Sequence, residues 1–129
     1  MIHEFNPVIY PRKIWITYDA TAKELNEMFP EGDGSGKVFT DDDLKDSYGA
    51  EYSVRVVKPE RQGGVLLRFP DKETMTSSNI VHESIHAANG IFSYIGAEAD
   101  VNNDEPFVYL VSWIVKCCER VKEYKEEDK

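Results

Sequence analysis

Two stretches in the second half of the chain constrain its fold more than any other feature. Over residues 76–95 the apolar positions Ile80, Val81, Ile85, Ala88, Phe92 and Ile95 recur at helical spacing, and over about 104–124 Phe107, Leu110, Val111, Ile114 and Val115 do the same. Ser77 or Ser78 can cap the first helix and Gly96 can close it, while Pro106 falls in the favoured first turn of the second. Two long helices, each with an apolar stripe, need something to pack against. Upstream, residues 13–19 (KIWITYD) are rich in β-branched and aromatic types and read as a core strand. Residues 51–58 and 64–69 read as two more strands, joined through PERQGG as an antiparallel hairpin. The expected fold is therefore α+β: one compact domain over residues 1–129, with a small antiparallel or mixed sheet packed on two helices.

Between the first strand and the hairpin, Asp19 or Thr21 can cap a short helix over TAKELNEMF, with Leu25, Met28 and Phe29 on one face and Pro30 ending it. The Gly-, Asp- and Ser-rich run that follows reads as a loop with a helical turn near residues 41–46. Its GDGSGK lacks the Lys-Ser/Thr ending of a phosphate-binding loop.

Composition excludes several function classes. With 129 residues, 41% of them hydrophobic, the chain can bury one core. A formal net charge of −9, with no compensating basic stripe, repels phosphate backbones and argues against a nucleic-acid partner. The first fifteen residues have no leader pattern, and no apolar run approaches the roughly twenty residues of a membrane span, so we expect a cytoplasmic protein with no membrane partner. Cys117 and Cys118 are adjacent on a helix, where their side chains point about 100° apart; they are expected to be reduced thiols filling a partly buried face.

The chemistry-bearing stretch is NIVHESIHA, residues 79–87. His82 and His86 stand one turn apart on one side of a helix, so two imidazole nitrogens can converge on one point. Zinc accepts such ligands and in catalytic sites takes three from the protein, leaving a position for water. Glu83 can then lie beside the metal and act on that water without binding the metal. A His-Glu-x-x-His pattern arises by chance in only about one chain in a hundred of this size.

A third ligand is needed. The metzincin continuation is ruled out, because Asn89 and Phe92 stand where glycine and histidine are required. His3 would have to return from the N-terminus; Glu105, nineteen residues after His86, and Glu98, Asp100 and Asp104 before it, are the carboxylate candidates.

His82-Glu83-x-x-His86 followed by Glu105 on a second helix resembles the gluzincin arrangement of zinc metallopeptidases, and HESIHAANGIF with DEPFVYLVSWI is similar to small metallopeptidase-like proteins of phages and mobile elements. The resemblance implies zinc (Zn2+) held by His82, His86 and Glu105, with Glu83 as catalytic base, and a peptide or protein substrate. One departure is Tyr109, which stands four residues after Glu105 where many gluzincins have an orienting aspartate. The expected reaction is amide hydrolysis, with Tyr94 or Tyr109 as candidate oxyanion donors unless they pack between the helices. The strand at residues 64–69 is expected to lie beside the motif helix as an edge, with Leu66 or Arg68 reading a bound peptide, and Trp15 and Trp113 are expected in the core. The alternative is a non-catalytic metal-binding or protein-interaction module that keeps the ligands without turnover.

Overall fold

The structure is a computed structural model; it describes residues 1–33, 37–45, 49–56 and 61–125, apart from the side chains of 51–53. The centre of the glycine-rich GDGSGK run, the first part of the predicted hairpin turn and the last four residues of the chain lie outside the described residues.

Four strands and four helices are found among the described residues, in the order β1 (His3–Phe5), β2 (Lys13–Thr17), α1 (Ala22–Met28), α2 (Asp41–Leu44), β3 (Gly49–Val56), β4 (Gln62–Arg68), α3 (Ser77–Ile95) and α4 (Glu105–Glu123). The strands make one sheet in the order β1-β2-β4-β3. β3 and β4 pair antiparallel, as their hairpin spacing predicts. β4 then inserts beside β2 in parallel, and β1 closes the other side antiparallel, so the sheet is mixed and the fold is α+β.

Helix ends follow local chemistry. Thr21 caps α1 in a capping box with Glu24, whereas α3 is capped by Thr76, one residue before the serines expected there. Gly96 closes α3 at φ 75°, a left-handed conformation suited to glycine.

The sheet is covered on both faces. Ile14, Ile16, Val65 and Leu67 pack with Ile80, Ala87, Ile91, Leu110 and Ile114 of α3 and α4. From the opposite face Trp15, Leu66, Val54 and Val56 meet Leu25, Phe29 and Phe39. β2 consequently buries four of its five residues, which explains why it is apolar on both sides rather than strictly alternating.

Ser84 Oγ lies 3.9 Å from Cys118 Sγ, and the rings of Phe92 and Phe107 meet edge to face at 5.4 Å, so α3 and α4 run antiparallel. Cys117 and Cys118 are free thiols and, beyond the partial burial expected, are both buried in the core. Burial pushes the Cys117 thiol up to about 11 and the Cys118 thiol up to about 12. A raised thiol pKa favours the fold below the unfolded value and loses that contribution as pH rises through the folded one. Neither cysteine should therefore react with an aromatic disulfide reagent at pH 8 in the native chain, and both should react in denaturant. Rapid native labelling of either would contradict this packing.

Candidate metal site

α3 presents Ile80, Glu83, Ser84, Ala87, Ala88, Ile91 and Phe92 inward. His82 and His86 fall on its opposite, solvent side because they are set a further 100° round at each step. Their Nε2 atoms stand 3.2 Å apart, with the rings edge to face. Two histidine nitrogens on one tetrahedral zinc, each at 2.0–2.1 Å, are separated by about 3.3 Å, so the pair is already at ligand spacing. Without a metal the same contact is an N–H···N hydrogen bond between one protonated and one unprotonated nitrogen. Glu83 is buried, 5% exposed, yet its Oε2 lies 4.0 Å from His82 Nε2. The sequence pattern thus brings three of the four predicted site residues together.

Glu105 is not among them. Since Phe92 stands level with Phe107, Glu105 stands level with the end of α3, about eight or nine residues and roughly 13 Å along the axis beyond His86. Helical side chains tilt towards their own N-terminus, which directs His86 and Glu105 further apart in an antiparallel pair. Glu105 is exposed at the first position of α4, where a carboxylate favours the helix dipole. His3 is also elsewhere: it lies on β1, at the sheet edge opposite β3, with its ring edge-on to Tyr124 at 5.0 Å, and burial lowers its pKa. Among the described residues no group of three or more His, Cys, Asp or Glu side chains is assembled to hold a metal.

No protein-family model matches the chain, and neither a curated protein nor a solved structure matches it. With no three-ligand group among the described residues and no related family, the gluzincin resemblance is not upheld. The motif spacing is a property of one helix, whereas the third ligand depended on the relative level of two.

The other expected positions are also revised. β4 is an internal strand, not an edge, and Leu66 is fully buried, so neither can read an added peptide strand; β1 and β3 are the edges. Tyr94 and Tyr109 are 59% and 71% exposed rather than packed between helices, and Tyr94 stacks beneath the Arg12 guanidinium, 4.2 Å from the ring centre. Trp15 is core as expected, while Trp113 is only partly buried and lines an apolar hollow of about 310 Å³ with Tyr10 and Tyr109. Among the described residues no helix is long and apolar enough to cross a membrane.

Proposed function

We propose that His82 and His86 bind a divalent cation, zinc first among them, and that the protein is a metal-binding interaction module. The observation that carries this reading is the 3.2 Å separation of the two Nε2 atoms on an exposed helix face. Two imidazoles suit zinc, copper and nickel, and zinc needs no redox partner or fixed geometry. A module is preferred to an enzyme because the described side chains offer only this pair, fewer than the three protein ligands usual in a catalytic zinc site. The cytoplasm, where two unpaired thiols persist, suits the same reading.

A second reading is favoured by Glu83, whose carboxylate lies 4.0 Å from one ligand nitrogen. Zinc in the clamp would lower the pKa of a coordinated water towards about 7. With zinc held by His82 and His86 supplying an activated water, Glu83, buried beside His82, would be the proton acceptor for amide hydrolysis.

Metal analysis of untagged protein separates these readings. Zinc should load onto wild type and be lost in His86→Ala, while Glu105→Ala should load like wild type. A module shows no cleavage of a mixed peptide pool. An enzyme cleaves it, and Glu83→Gln abolishes the cleavage while keeping the metal. Failure of wild type to take up zinc would leave an imidazole–imidazole hydrogen bond and nothing more.

A further inference from the structure

From the metal-module reading of His82 and His86, on which this step rests, we infer that a second copy of this chain completes the site. Two α3 helices face each other across a two-fold axis, and four imidazoles, His82 and His86 of each copy, enclose one zinc.

Ligand number supplies the first argument. A structural zinc is closed by four protein ligands in a tetrahedron, and the clamp supplies two at tetrahedral spacing. Among the described residues nothing else joins them. A two-fold axis through the metal repeats the same pair at the two vacant corners, which is the self-complementary contact that homodimers use.

Charge supplies the second, and it selects the occupant. Charged residues make up 30% of this chain and its net charge is −9, so two copies repel across most of their surface. The face of α3 carries none of that charge: in nineteen residues its only charged side chain is Glu83, and that one is buried. Its exposed stripe is Ser78, Val81, His82, Ile85, His86 and Asn89, without one carboxylate or ammonium. Val81 and Ile85, each one residue before a histidine, run along one edge of the pair and are 42% and 39% exposed, so a facing helix gains apolar burial beside the metal. A strongly acidic chain can approach its own copy along such a face, and the dication at its centre draws the two together. A basic peptide partner would find no carboxylate on this stripe.

The test is the mass of the untagged full chain by light scattering and sedimentation, with zinc content measured in the same samples. We expect a monomer in chelator, and on zinc addition a doubling of mass with one zinc per two chains, reversed by chelator. His86→Ala should stay monomeric and metal-free. Ile85→Glu keeps both imidazoles, substitutes an exposed position, and should stay monomeric at every zinc concentration that dimerises wild type. One zinc per chain on a monomer would overturn the second-copy closure while leaving the metal reading intact. A chain that takes up no zinc overturns both, and a dimer that survives chelator and His86→Ala overturns the bridging role of the metal.

Discussion

Gly64→Ala is expected to destabilise the protein by about 3 kcal/mol or more, the upper range for forcing atoms into a packed interior. Gly64 sits in β4 between two partners, opposite Lys13 of β2 and Val54 of β3. A methyl group there would collide with the Lys13 carbonyl oxygen and come within 2.7 Å of the Trp15 ring. The carbonyl belongs to the strand paired with β4, so relief requires opening the parallel β2–β4 ladder around which both core layers are built. Against a typical stability of about 5–15 kcal/mol the loss is large, and it should appear as a lower urea midpoint with little change in slope. Gly49→Ala is the control, since an added methyl there meets nothing within 4 Å. Equal midpoints for the two variants would overturn the β2–β4 register.

Trp15→Ala should cost about 3–5 kcal/mol, the range for truncating a buried aromatic residue. Trp15 is fully buried, meets Phe29 edge to face at 5.1 Å, and donates from Nε1 to Glu4 Oε1 at 2.9 Å. It therefore ties β1, β2 and the segment ending α1 together on the face opposite α3. Trp15→Phe keeps most of the apolar contact and loses the hydrogen bond, so it should cost about 1 kcal/mol for that bond in addition to any repacking. Because the histidine clamp lies beyond the other face of the sheet, the folded fraction of Trp15→Phe should load zinc like wild type. A similar loss of stability in both variants would mean that the indole contributes through its hydrogen bond rather than its packing.

Much of this molecule was legible from local pattern. The apolar repeats over residues 76–95 and 104–124 become α3 and α4 almost to their ends, because helical periodicity and caps such as Gly96 act within a few residues. The antiparallel β3–β4 pairing was legible for the same reason, as a short connection leaves few alternatives. His82 and His86 converge because one helical turn brings them together whatever surrounds the helix.

What the sequence by itself determined, then, is every element but the short edge strand β1, together with the two-histidine clamp, all products of contacts a few residues apart. Only the tertiary structure decided that β4 lies inside the sheet beside β2, that α1 covers the second face, and that Glu105 stands a helix end away from His86. Each of these depends on how separate elements slide and stack, which is set by the packing of Trp15, Phe29, Phe92 and Phe107 between distant segments and not by any spacing along the chain.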